Sequence, residues 1–224
     1  MIAEEIQRIT SALPQGVRLV AVSKYHPSEA IREAYAAGQR VFGESHAQEL
    51  QAKHVELTDL TELEWHFIGH LQTNKVKYIA PYVHLIHAVD SPRLLAEIDK
   101  QARKAGRVIP CLLQLHVAEE ETKFGFTPEE ARAYLETETW KQLEGVQLAG
   151  VMAMATNTDD TARIRTDFHR ARMFFEQTRH DFFAAQPSSF TELSMGMSDD
   201  WHIAVDEGST LIRIGTQIFG QRQY

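Results

Sequence analysis

The sequence predicts a single (β/α)8 barrel with an extra N-terminal helix, and three observations lead to it. Eight short β-rich runs recur along the 224 residues, separated by longer amphipathic segments. Strict alternation of this kind implies parallel strands joined by right-handed crossovers. The strand runs are apolar almost throughout rather than alternating, as expected where helices cover one face of a sheet and a packed interior covers the other. An open doubly wound sheet is the competing fold, but no G-x-G-x-x-G fingerprint follows the first strand. No repeat or low-complexity linker divides the chain, so residues 1–224 are read as one domain.

Taken in order, the N-terminal segment sets Ile2, Ile6, Ile9 and Leu13 at helical spacing. Strands are predicted over 17–24, 40–44, 64–69 and 84–90 in the first half, then over 111–117, 148–156, 191–196 and 211–220. Helices open at Pro27-Ser28, Ser91-Pro92 and Thr127-Pro128, each pairing a cap-type residue with proline. Two of them close on glycine, Gly38 and Gly106, the residue favoured just past a helix end. Residues 157–179 read as one long helix whose charges form a solvated face, and Cys111, within CLLQL, reads as a core thiol in a reducing compartment.

Composition excludes several classes. With 31 acidic against 23 basic residues the formal charge is −8, and no Lys/Arg run can neutralise neighbouring phosphates, so no nucleic-acid partner is expected. The longest apolar stretch, LAGVMAMA, is far short of the roughly 20 residues that span a bilayer. The N-terminus lacks the basic start and apolar run of a signal peptide. The expectation is a cytoplasmic monomer with no membrane partner.

In a barrel, chemistry belongs at the C-terminal ends of the strands. Lys24 ends the first strand, where partial desolvation lowers an amine's pKa and frees it to form an imine with an aldehyde; a surface lysine that happens to follow a strand is the equal alternative. The seventh and eighth strand ends carry Ser194-Met195-Gly196-Met197-Ser198-Asp199 and Arg213-Ile214-Gly215-Thr216. Small residues and hydroxyls there let backbone amides approach an anion, and a helix starting near Ser198-Asp199 adds its N-terminus; turn chemistry alone is the other reading. Arg213, inside an apolar strand, needs a partner, either a protein carboxylate or a ring nitrogen or anion of a ligand. His66, His70, His87 and His116, with Asp90, gather near strand ends where a divalent metal can bind. Their spacing contains neither His-x-His nor H-E-x-x-H, which favours core or mouth histidines. Met152, Met154, Met195 and Met197 read as half core filling and half mouth lining.

The motifs AVSK, VFGE followed by Gln48-Glu49, WHFIG-x-LQ-x-NK, VDS, E-x-x-K-x-G (Glu120 to Gly125), Gly150-x-Met152, SMGMS-x-D and GST-x-x-RIGT-x-IFG run collinearly through the chain. Together they resemble the YggS/PROSC family of pyridoxal 5′-phosphate (PLP) homeostasis proteins. The resemblance implies the barrel of fold-type III, alanine racemase-like PLP proteins. It implies that Lys24 forms the internal aldimine, that Ser198, Gly215 and Thr216 hold the phosphate, that Arg213 faces the pyridine nitrogen, and that Met195 and Ser45 lie near the cofactor. The sequence departs from the family pattern at Ser45, usually asparagine; at Ala88, usually serine; at His116, usually asparagine; and at Phe124, usually a small residue. The implied function is to bind PLP and to buffer it or deliver it to apo PLP-dependent enzymes, without turnover. An arginine at the pyridine nitrogen disfavours protonation there and weakens the ring as an electron sink, and the short tail after Gly220 implies a site without a lid domain. A PLP-dependent racemase or lyase and a metal-dependent barrel hydrolase are the alternatives.

Overall fold

Eight parallel strands close on themselves in sequence order, β1 (Arg18–Val22), β2 (Val41–Glu44), β3 (Glu64–Phe67), β4 (Leu85–Val89), β5 (Ile109–Leu115), β6 (Val146–Ala153), β7 (Glu192–Ser194) and β8 (Leu211–Ile214). The seam is a four-residue parallel register in which Val20 of β1 lies opposite Arg213 of β8. This computed structural model describes residues 1–120 and 124–221; Lys123 of the E-x-x-K-x-G motif lies outside them.

Helix α1 (Ile2–Ala12) precedes the barrel, and the crossovers contain α2 (Ser28–Ala36), α3 (Ala47–Glu56), α4 (Val76–Ile79), α5 (Pro92–Lys104), α6 (Pro128–Glu136), α7 (Thr161–Phe183) and α8 (Trp201–Asp206), with α9 (Thr216–Phe219) after β8. The capping signals act as local chemistry requires. Ser91 accepts from the Leu94 N–H at the start of α5, and Thr127 and Glu130 form a reciprocal capping box on α6. Gly38 and Gly106 adopt φ of +97° and +65° past α2 and α5. At α2 the expected cap is reversed, because Pro27 holds the N-cap position while Ser28 is buried and donates to Glu56 at 2.7 Å.

Several expected boundaries are corrected. Residues 211–220 are not one strand: after Ile214 the chain turns at Gly215, where a Cβ would come within 3.0 Å of the Val22 carbonyl oxygen, and α9 begins. The long helix starts at Thr161, because the Asp160 carboxylate caps the Ala162 and Arg163 N–H groups, and it runs on to Phe183. Its charges are not all solvated, since Asp167 is fully buried and accepts from both the N–H and hydroxyl of Thr156.

Two layers of apolar side chains fill the molecule. The outer one, between strands and helices, holds Phe42, Phe67, Ile98, Phe168 and Phe190, each fully or almost fully buried and each contributing about 1.5–3 kcal/mol of transfer free energy. The inner one, inside the barrel, is built from Val20, Val41, Leu85, Ala88, Leu112, Ala149, Met152 and Leu211. Cys111 sits in the outer layer, and burial pushes its thiol well above the usual range. Among the described residues, no helix is long and apolar enough to cross a membrane.

Candidate functional site

Above the inner layer, at the C-terminal ends of the strands, lies a cavity of about 130 Å³ lined by Lys24, His26, Met154, Met197, Ser198, Arg213, Gly215 and Thr216, with Val22 and Ile68. Residues from β1 and from the loops after β7 and β8 meet here because β8 pairs with β1. Lys24 also lines a second cavity, of about 440 Å³, with Ser45, His46, His70, Gln72 and Lys75 among its walls. A larger hollow of about 540 Å³, between Trp140, Gln147 and Phe183, lies at the start of β6 and gathers one charged side chain, Lys141.

Two glycines shape the anion side of the smaller cavity. Gly196, at φ +91°, turns the chain after β7 where a Cβ would stand 2.8 Å from the Trp201 Cα, so Met197 and Ser198 can fold tightly onto α8. The Met197 N–H donates to Asp200 at 2.6 Å, closing that turn, and the Gln217 side chain donates to the Ser198 carbonyl at 2.7 Å, tying the β7 loop to α9. Among the described residues, no acceptor is bonded to the N–H groups of Ser198, Gly215 or Thr216. The cavity thus combines two hydroxyls, these amides, an ammonium and a guanidinium, with no carboxylate in its lining. That donor set fits a small anion. Ser198 does not begin a helix as expected, since α8 starts three residues later.

Arg213 is buried, and its partner is neither a carboxylate nor a second charge. It donates to the Ser194 hydroxyl at 2.5 Å and to the Ala153 carbonyl at 3.1 Å, and no ion pair to it occurs among the described residues. Burial lowers its pKa to about 10, partly countered by the nearby Asp200, so it stays cationic at neutral pH. Behind it runs a buried polar chain. Ser194 meets His87 Nδ1 at 2.9 Å, and His87 Nε2 meets His66 Nδ1 at 2.9 Å. The histidine tautomers set the direction of this chain: either Ser194 donates to His87 and His87 to His66, or His66 donates to His87 and His87 to Ser194, whose oxygen then accepts from both His87 and Arg213. Burial holds His66 down to about 3 and His87 well below its usual value, so both imidazoles are neutral.

The other singled-out residues fall in distinct places. His70 pairs with Asp90 at 2.9 Å and stacks on Phe124, while His116 bonds the Glu120 carbonyl. Among the described residues, no three metal-ligating side chains gather. Ser45 bonds His46 at 3.2 Å in the larger cavity. Met154 and Met197 line the smaller cavity, whereas Met152 and Met195 are core; Met195 is fully buried and not in the cavity wall, contrary to its expected place near the ligand. Ala88 is buried inside the barrel. Sequence reasoning missed Ser194 as the link between Arg213 and the histidines. It also missed the buried pair Glu44–Lys53, joined by the half-buried Glu49, behind Lys24; the signal for it was the i, i+4 pair Glu49–Lys53, which reads equally as a surface ion pair.

Comparison with known proteins adds an independent line. The family model for the alanine racemase N-terminal domain matches residues 1–223. A pyridoxal phosphate homeostasis protein of Aquifex aeolicus is 39% identical over 226 residues, covering all of this chain and 96% of that protein. PipY of Synechococcus elongatus, solved with PLP bound, superposes with a TM-score of 0.89 at 43% identity, covering 98% of this chain and 100% of PipY. An alanine racemase of Clostridium difficile, at 14% identity and TM-score 0.76, matches all of this chain and 57% of its own, a likeness of fold alone.

Proposed function

This chain belongs to the alanine racemase N-terminal domain family, among the pyridoxal phosphate homeostasis proteins, and from that premise we propose that its smaller cavity holds PLP through Lys24. The protein binds PLP and takes part in PLP homeostasis. The observation that carries the reading of the site is the meeting of Lys24, Arg213, Ser198, Gly215 and Thr216 in one cavity that contains no carboxylate. When bound, PLP supplies an aldehyde carbon with which an unprotonated lysine amine condenses.

Each residue then has a separable task. Lys24 presents its amine at the mouth of β1. Ser198, Gly215 and Thr216 offer hydroxyl and amide donors to the phosphate. Arg213, cationic and anchored from behind by Ser194 and Ala153, presents a donor to the ring nitrogen and keeps a proton off it. A pyridine nitrogen held unprotonated is a poor electron sink, which supports storage or transfer of PLP to apo enzymes over turnover.

The test is an absorption spectrum of the purified protein, which should show a visible band, followed by borohydride reduction and peptide mapping. The reduced adduct should sit on Lys24. Mapping mainly to Lys75 or Lys123 would overturn the assignment.

A further inference from the structure

Directly behind Lys24, a second lysine is buried with no evident part in ligand contact. Lys53, on α3, is 6% exposed, and its ammonium makes three hydrogen bonds: to the Ser23 carbonyl at 2.8 Å, to Glu44 Oε1 at 2.8 Å and to Glu49 Oε1 at 2.7 Å. The same Glu49 oxygen accepts the Tyr25 N–H at 2.6 Å, and the Ser23 hydroxyl donates to the same Glu44 oxygen at 2.6 Å. The cluster therefore grips the residue on each side of Lys24. Tyr25 is held at φ +66°, a left-handed conformation that a non-glycine residue keeps only when its surroundings impose it, and the His26 N–H closes back onto the Ser23 carbonyl at 3.1 Å.

We propose that Lys53 is a positioning residue for Lys24, its ammonium and the two carboxylates it joins fixing the turn Ser23–His26 so that the Lys24 side chain is aimed into the cavity. Burying a lysine costs several kcal/mol unless it is fully paired, and a scaffold ion pair of equal worth can form anywhere on the packed helix face. This one is spent on the peptide groups flanking a single side chain. The VFGE and Gln48-Glu49 motifs supply both of its carboxylates.

The inference rests on Lys24 being the residue that PLP modifies, and the experiment separates the two. Apo wild-type protein, Lys53→Met/Glu44→Gln, Glu49→Ala and Lys53→Arg are treated with substoichiometric PLP and borohydride, and labelling of Lys24 is compared with that of Lys75, which shares the larger cavity. Circular dichroism and the thermal midpoint report folding. A wild type labelled elsewhere than Lys24 overturns the PLP assignment and this inference with it. Given Lys24 labelling in the wild type, the expected result is a fall of about tenfold in Lys24 labelling relative to Lys75, as displacement of a reacting group costs, with partial recovery in Lys53→Arg. If the double variant fails to fold, Glu49→Ala decides, since it removes the partly exposed carboxylate that the Tyr25 N–H and Lys53 share while leaving the buried Lys53–Glu44 pair in place. Lys24 labelling at the wild-type ratio in a folded variant, or equal changes at Lys24 and Lys75, would show Lys53 to be a scaffold ion pair.

Discussion

At the scale of single residues, the proposed phosphate contacts make the sharpest demand. Ser198→Asp puts a carboxylate where a dianion is to sit, and like charges in a partly desolvated pocket cost several kcal/mol. Affinity for PLP, measured by fluorescence titration, should fall by at least about a hundredfold, while unphosphorylated pyridoxal should lose little; equal losses would remove Ser198 from the phosphate side. Arg213→Leu should weaken retention and shift the visible band, because the donor opposite the ring nitrogen is gone. Normal binding with a much lower denaturation midpoint would instead make Arg213 a strut between Ser194 and Ala153. That Lys24, Ser198, Arg213, Gly215 and Thr216 line one cavity was legible because the barrel topology brings the end of the first strand beside the ends of the seventh and eighth. Met195 was misread because two methionines two residues apart look alike in sequence, and only the turn at Gly196 decides which of them reaches the cavity.

Among the elements, the turn that leads into α8 is predicted to tolerate no added Cβ. Gly196→Ala meets both an unfavourable φ and a backbone atom at 2.8 Å, so it should lower stability by roughly 2–4 kcal/mol and release the ligand, because Met197 and Ser198 must move. Gly38→Ala, at a similar φ of +97° but with nothing within 4 Å, should cost only about 1 kcal/mol and leave retention unchanged. Urea midpoints together with PLP retention check the pair; loss of ligand in both would mean that global stability and not the turn governs binding. The proline-flanked helices were legible because their caps are local chemistry. Helices α3, α4 and α8 were not, since their apolar faces are short and their stability comes from packing on a barrel that no local window contains. The false extension of the last strand through IFG has the same origin, an apolar run whose direction is changed by one glycine pressed on Val22.

For the molecule as a whole, buried titratable groups shape stability against pH. His66 and His87 have folded pKa values below the unfolded value of about 6.5, so their contribution is present above about pH 6.5 and is lost as pH falls below it, down to about 3 for His66. Glu44, raised by burial from 4.5 to about 7, acts oppositely: its contribution is present below about 4.5 and is lost as pH rises to 7. Two imidazoles outweigh one carboxyl between about pH 4.5 and 6.5, and below that window the carboxyl no longer opposes them. Guanidinium unfolding should therefore show stability falling on acidification below about pH 6.5, and more steeply below about 4.5. His66→Phe should reduce the acid slope by about 1.4 kcal/mol per pH unit; an unchanged slope would mean that His66 takes up its proton in the folded state. The seam between β1 and β8 carries a different consequence. In chain order Lys24 follows the first strand of the barrel and Arg213 and Thr216 belong to the last strand and the turn after it, so the proposed site is incomplete in a nascent chain until β8 has been made. Until then β1 and β7 are exposed edges, and ligand capture coincides with the closure that removes them. On the proposed reading, a complete PLP site exists only in the closed barrel, and retained PLP reports that closure.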